Sequence, residues 1–307
     1  MTIASIDIGT NTILLLIAQV NIKDKKIKVL FEEQKIPRIG EGLKPGFPIS
    51  EKKKILLLKI LASLKIEANK YSCERILVSA THAFRIASDR NDLIQEIKNQ
   101  LQLEVNVLSG IEEARLTFLG CTHEFSIKAN YAVIDIGGGS TEIIFGSDNK
   151  YLSDCSLPLG VVSLTEKYFS NDPPKDLEIE QLRTAIQIQL KKSVKKNIKF
   201  NKAIAVAGTP TTLACIKKGM TSYDESLIEG EILTSTEVFK FLEELSLMSS
   251  QEIKNSFKSV VEGREDVLLA GTILLNEIMN HIKASEVVVS AKGVRYGAVY
   301  DFLDKLF

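Results

Sequence analysis

The sequence predicts an α/β protein built as two domains, and three observations predict it. Apolar runs of strand length alternate with helix-length segments, the pattern of sheets with parallel pairing. The 307 residues suit two domains of roughly 150 residues, each burying its own core. The chain also repeats itself. ASIDIGTNTILLLIA (4–18) lies over AVIDIGGGSTEIIFG (132–146) without gaps, at a constant offset of 128. Ala, Ile, Asp, Ile and Gly match at the first, third, fourth, fifth and sixth places, and Thr12 faces Ser140. Each copy opens a strand–turn–strand unit followed by α/β material, which indicates a duplicated domain.

Residues 3–8 and 12–20 read as two buried strands joined by the tight turn Gly9-Thr10-Asn11, and 27–36 as a third. The turn-rich stretch PRIGEGLKPGFPIS ends at Ser50, a good N-cap for a helix running to about residue 71. RILVSAT (75–81) is a strand, 88–101 a helix opened by Ser88 or Asp89, and VNVLS (105–109) a strand running into the helix EEARLTFLGCTHE. After the second hairpin come a helix over 162–169, a DPPKD turn and a long helix over 176–197. Strand AIAVAG (203–208) leads into the helix TPTTLACI, helices cover roughly 235–245 and 265–283, and strand VVVS (287–290) passes through AKG into a terminal helix. The division predicted is residues 1–126 and 127–307, with short linker candidates around 125–130, a cleft between the domains, and a last helix (about 295–307) packing back on the first lobe.

Composition narrows the partners. Lys+Arg and Asp+Glu balance at 39 each, so no basic field points to nucleic acid. Cys73, Cys121, Cys155 and Cys215 have no zinc spacing and read as reduced thiols. The N-terminus lacks a basic n-region and carries Asp7 inside its first apolar stretch, and TILLLIAQV is half the length needed to span a bilayer. The expectation is a soluble, cytoplasmic protein with no membrane partner.

The chemistry gathers at the turns. A Gly-rich turn after a buried strand lets backbone N–H groups converge on an anion, and Gly137, Gly138 and Gly139 with Ser140 and Thr141 exceed what a plain hairpin needs. No GxGxxG opens a helix and no GxxxxGK[ST] is present, which argues against a dinucleotide site. Asp7 and Asp135 end apolar strands, where a carboxylate requires a partner; a divalent cation bridging to phosphate oxygens supplies one, and hydrogen bonds from the turn amides are the plainer alternative. VAGTPTTL (206–213) places Gly208, Thr209, Thr211 and Thr212 at a helix start, a ready phosphate site. In SGIEEARL (109–116), Ser109 and Glu112 form a capping box, which leaves Glu113 available as a general base, with Arg115 able to pair with either carboxylate. Arg85 in SATHAFR faces polyanion, while His82 reads as a structural histidine and KKSVKKNIKF (191–200) as a solvated face.

Together these motifs resemble the exopolyphosphatase / guanosine pentaphosphate phosphatase family. The resemblance runs through IDIGTNT (6–12), RIGEGL (38–43), ATHAFR (80–85), LSGIEEARLTFLG (108–120), IDIGGGSTE (134–142), LPLGVVSLTE (157–166), GTPTTL (208–213), REDVLLAG (264–271) and VSAKGVRYG (289–297). It implies the two-domain actin/Hsp70/sugar-kinase-like (ribonuclease H-like) fold with its active site in the interdomain cleft, in the short form without an added helical domain. It implies a Glu113 base, with Arg85 and the neighbouring Glu112 in the catalytic group. Mg²⁺ or another divalent cation would sit at Asp135, Glu142 and Asp7. Phosphate would be gripped by Gly9, Thr10, Asn11, Thr12, Gly137 to Thr141, Gly208 and Thr209. A homodimer and a polyphosphate or guanosine pentaphosphate (pppGpp) substrate are further family expectations. The chain departs from the family in carrying Leu14 where members often have arginine or histidine, IEGEIL without the histidine before its glycine, and SAKG in place of Ser-Asp-x-Gly. Two other readings of the same fold stand beside hydrolysis: an ATP-dependent small-molecule kinase, and a non-enzymatic nucleotide switch.

Overall fold

A computed structural model describes residues 1–21, 24–123, 129–147, 150–194 and 199–306. The chain divides into two compact units, Met1–Glu124 with Lys292–Phe307, and Phe125–Ala291. The linker candidates at 125–128, and residues 195–198 within the lysine-rich stretch and at the predicted end of the 176–197 helix, lie outside the described residues.

In the first unit, strands β1 (Thr2–Ile8), β2 (Ile13–Asn21) and β3 (Lys26–Lys35) form an antiparallel meander. Helix α1 (Glu51–Lys70) leads to β4 (Arg75–Ala80), the short α2 (His82–Ile86) and α3 (Arg90–Leu101) lead to β5 (Val105–Val107), and α4 (Gly110–Thr122) follows. β4 pairs in parallel with β1, and β5 with β4, so the sheet order is β3-β2-β1-β4-β5. β1 is therefore central, and its Ile3, Ala4, Ile6 and Ile8 are all buried, with Ser5 enclosed among them. Its Ala4, Ile6 and Ile8 face one cluster with Leu57, Leu61 and Leu64, spaced along a single face of α1. Each fully buried isoleucine or leucine of this set is worth roughly 1.5–3 kcal/mol.

The second unit repeats this plan. Strands β6 (Asn130–Ile136), β7 (Thr141–Ser147) and β8 (Lys150–Leu157) form the meander, followed by α5 (Val161–Tyr168), α6 (Asp176–Ser193), β9 (Lys202–Val206), α7 (Gly208–Lys217) and α8 (Glu225–Ile228). Then come β10 (Ile232–Thr234), α9 (Ser235–Ser246), α10 (Ser250–Phe257), α11 (Leu268–Ile282) and β11 (Glu286–Ser290). The order β10-β11-β9-β6-β7-β8 is the first unit's order with one antiparallel edge strand, β10, added. α11 is apolar nearly all round, as a helix enclosed on every side must be.

After Ala291 the chain returns to the first unit as α12 (Val294–Asp304). Tyr296, Val299, Tyr300 and Leu303 pack on Ile3, Leu16, Ala18 and Val20, covering the sheet face opposite α1. α12 also lies against α4 at backbone contact. A Cβ on Gly120 would strike the Gly293 carbonyl, and one on Gly297 the Leu116 carbonyl.

Several boundaries differ from the sequence reading. β8 and β10 were not expected: KYLSDCSL has little apolar alternation and is a strand because β7 supplies its ladder, so tertiary pairing overrides propensity. HAFRI winds into a short helix. Asp89 precedes α3 without capping it; its carboxylate instead accepts from the Ile49 N–H at 3.1 Å and pairs with Lys54 at 2.6 Å. α11 starts at Leu268 rather than 265, leaving Arg264 in the turn before it.

Candidate functional site

The two hairpins are superposable in register. Asp7 pairs with Leu14 and Ile8 with Ile13; Asp135 pairs with Glu142 and Ile136 with Thr141. Both turns close through the same bond, Gly9 N–H to Thr12 O and Gly137 N–H to Ser140 O, each 2.9 Å. A Cβ at Gly9 would come 2.9 Å from the Thr12 carbonyl oxygen, and one at Gly137 2.8 Å from that of Ser140, so each glycine is required by its turn.

Neighbouring segments fix which way the turn peptides point. In the first unit, Gly40 N–H donates to Thr10 O at 2.9 Å and Arg38 N–H to Asn11 O at 3.0 Å. In the second, Val161 and Val162 at the start of α5 donate to the Gly137 and Gly138 carbonyls at 3.0 Å each. Carbonyls are thus drawn back into the protein, and no described hydrogen bond uses the amides of Thr10, Asn11, Gly138 or Gly139. Such converging amides suit an anion. Gly160 makes the second arrangement possible, since a Cβ there would run into the Gly138–Gly139 backbone. Asn11 is 8% exposed and its Oδ1 has no partner among the described residues; turned over, the same amide presents its NH₂ to an anion. Thr10 and Ser140 are also buried at the turns, whereas the Thr141 hydroxyl donates to Leu159 O at 2.6 Å and holds the strand.

Asp135 and Glu142, opposite one another, share a face with Cβ atoms at a typical separation of about 4.5–5.5 Å. Glu142 is 1% exposed and its Oε1 accepts from Ser156 Oγ at 2.9 Å. Like charges so placed are unfavourable unless a cation lies between them. The described residues hold no cluster of three or more His, Cys, Asp or Glu fit for a metal. An all-oxygen set of two carboxylates completed by water and phosphate is the usual arrangement for Mg²⁺, and the pair fits that ion. In the first hairpin Leu14 stands at the register position of Glu142, so Asp7 has no carboxylate facing it there.

On α4, Ser109 and Glu112 form the capping box: Glu112 Oε2 accepts from the Ser109 N–H and Oγ, both at 2.9 Å. That commits Glu112 to the helix end and holds its pKa below the usual glutamate range. Glu113, one position on, is 9% exposed and takes a charged hydrogen bond from Arg85. Burial pushes the Glu113 carboxyl pKa up, and the Arg85 guanidinium opposes it without cancelling it. Arg85 is held by a second bond, to Leu108 O at 3.1 Å. Burial lowers the His82 pKa, in keeping with a structural role. Arg115 pairs with Asp301 at 2.8 Å rather than with either glutamate.

Arg264 was not singled out from the sequence. It is 9% exposed and donates to Gly208 O and Thr212 Oγ1, each at 3.3 Å, beside the start of α7. A Cβ on Gly208 would lie 2.9 Å from Arg264 Cζ, so the glycine admits the guanidinium. The available signal was an arginine next to an apolar helix, where a charge is kept only for a purpose. Thr209, also buried, packs against Gly271 of α11, and Thr211 Oγ1 donates to Ala207 O at 2.9 Å.

Duplicated ribonuclease H-like units, each opening with an anion-ready hairpin turn, define a phosphate-handling protein of the actin/Hsp70/sugar-kinase class. More narrowly, the chain belongs to the Ppx/GppA phosphatase family, whose model matches residues 17–306. It is similar to the bifunctional 3-dehydroquinate synthase/phosphatase of Fusobacterium nucleatum, 33% identical over 97% of this chain but only 46% of that protein. The chain thus spans about half the length of that relative. It is 27% identical to exopolyphosphatase 2 of Mycobacterium tuberculosis over 92% of this chain and 91% of the other. Among solved structures, the Aquifex aeolicus member of the Ppx/GppA family matches with a TM-score of 0.86 and 29% identity, covering 100% of this chain and 98% of that one. An exopolyphosphatase-like protein matches with 0.91 and 26%, covering 99% and 98%. The four cysteines are free, and among the described residues no helix is long and apolar enough to cross a membrane.

Proposed function

We propose that this chain is an exopolyphosphatase that removes the terminal phosphate of inorganic polyphosphate by attack of water. The observation that carries the reading is the buried Glu113, raised in pKa and oriented by Arg85, on a chain with two anion-ready turns. A carboxylate whose pKa is lifted toward neutrality is a stronger base than an ordinary glutamate. Glu113 takes a proton from water as the water oxygen bonds to the terminal phosphorus. The bridging P–O bond then breaks and its electron pair leaves with the shortened chain. Within the first unit the turn amides at 10–11, and within the second the amides at 138–139 and the start of α7 beside Arg264, are the groups suited to non-bridging oxygens. Positioning and charge stabilisation account for most of phosphoryl-transfer catalysis, so these parts suffice.

Asp135 and Glu142 would hold Mg²⁺, which supplies charge neutralisation on the phosphate oxygens. Guanosine pentaphosphate offers the same terminal anhydride, and the family resemblance supports it as a second substrate. Leu14 stands where family members often carry an arginine or histidine placed to touch phosphate, so substrate choice and rate are what the assay has to resolve. Phosphate release measured in parallel from long polyphosphate, short polyphosphate, guanosine pentaphosphate and ATP, with and without Mg²⁺, tests the reading. Release from polyphosphate that Glu113→Gln abolishes supports it; turnover of ATP alone, and only with an acceptor, overturns it in favour of a kinase.

A further inference from the structure

Asp135 and Glu142 belong to a longer row across the second sheet. The register runs from Val206 of β9 through Asp135 of β6 and Glu142 of β7 to Ser156 of β8, each directly opposite the next. Residues so opposed share a face. Leu157, the next residue of β8, is fully buried in the core on the other face, so alternation turns Ser156 toward Glu142. Ser156 Oγ donates to Glu142 Oε1 at 2.9 Å. The matching row of the first unit reads Ser79, Asp7, Leu14 and Gln34, with no carboxylate at the place of Glu142.

Two features separate Ser156 from an ordinary surface serine. It is exposed, yet the carboxylate that it holds is 1% exposed, so the hydroxyl is directed inward to a buried charge rather than outward to water. The backbone that carries it is also pinned, because Thr141 pairs with Leu157 in the ladder and its hydroxyl donates to Leu159 O at 2.6 Å. The terminal torsion of a glutamate is broad, and a fixed donor on one oxygen narrows it. Outer hydrogen bonds of this kind orient a carboxylate before a metal ion arrives.

We infer that Ser156 is a positioning residue for the ion site at Asp135 and Glu142: its hydroxyl holds the Glu142 carboxylate in one rotation. Alanine at this place would keep the register and the buried carboxylate but remove the restraint, whereas threonine would keep the hydroxyl and suit the strand. The inference rests on the reading of Asp135 and Glu142 as Mg²⁺ ligands, and an Asp135→Asn control keeps the two apart.

The experiment titrates Mg²⁺ into wild type, Ser156→Ala, Ser156→Thr and Asp135→Asn by calorimetry, and follows the Mg²⁺ dependence of phosphate release from polyphosphate. The expected result is Mg²⁺ binding weaker by about ten-fold in Ser156→Ala, close to wild type in Ser156→Thr, and lost in Asp135→Asn. Phosphate release by Ser156→Ala should require about ten-fold more Mg²⁺ and approach the wild-type kcat once the ion saturates. If Ser156→Ala binds Mg²⁺ as wild type does while Asp135→Asn does not, the serine bond is structural only and the inference is overturned, with the metal reading intact. Equal weakening in Ser156→Thr would overturn it too, since the hydroxyl would not be the cause. Mg²⁺ bound equally by all four proteins, or by none, sinks the metal reading itself and the inference with it.

Discussion

Glu142 faces Asp135 across the second hairpin, at the register position where Leu14 faces Asp7 in the first. The repeat is thus symmetric in backbone and asymmetric in charge. Bringing two carboxylates opposite one another costs stability in the absence of a cation. Asp135→Asn and Glu142→Gln should each melt at a temperature equal to or above wild type in chelator. Mg²⁺ should raise the melting temperature of wild type, because a ligand bound only by the folded state stabilises it, and should leave both variants little changed. Scanning calorimetry with and without Mg²⁺ reads this, and an equal Mg²⁺ response in all three proteins would remove the metal from this pair.

Glu113→Gln should lower phosphate release by roughly two orders of magnitude or more without unfolding the protein. The linkage sign is definite. Burial raises the folded-state pKa above the ordinary 4.5, so the folded state holds the proton more tightly than the unfolded chain. Stability then falls as pH rises through that interval, and the penalty is fully present above the folded pKa. The neutral amide escapes this penalty, so its melting temperature at pH 7 should match or exceed wild type. A variant that is both inactive and markedly less stable would make Glu113 a structural residue.

Arg85 lowers the Glu113 pKa from the value burial alone would impose. Arg85→Met should therefore move the acidic limb of the kcat/KM profile to higher pH, as well as reduce its plateau. A pH–rate profile with an unmoved limb would show that another group titrates there.

Gly208→Ala should displace Arg264, since the new methyl would stand 2.9 Å from its Cζ. Gly160→Ala should disturb the 138–139 turn by direct backbone collision. Each is expected to cost activity through KM for polyphosphate, by about ten-fold for a lost charge-assisted contact. Gly42→Ala, at a glycine with open space around it but a φ of 68°, should lose stability through backbone strain alone and keep its KM.

Much of this was legible in the sequence because it is local. The paired hairpins announce themselves through strand periodicity and three glycines, and Ser109 with Glu112 is a helix signal read within four residues, which isolates Glu113 at once. What the sequence hid is long-range. Arg264 meets Gly208 across 56 positions of chain. Gly160 supports a turn through space alone, and the Arg38–Gly40 amides reach the first turn only because the meander doubles back.

The glycine contacts between α4 and α12 have a consequence for the order of events during synthesis. The cover of the first unit's sheet, Tyr296 to Leu303, is translated after every residue of the second unit. At the pace of translation the second unit can complete its core while the first still exposes Ile3, Leu16 and Val20. The unit whose strands are made earlier is thus completed after the second, and its uncovered face is what a chaperone would meet on the ribosome.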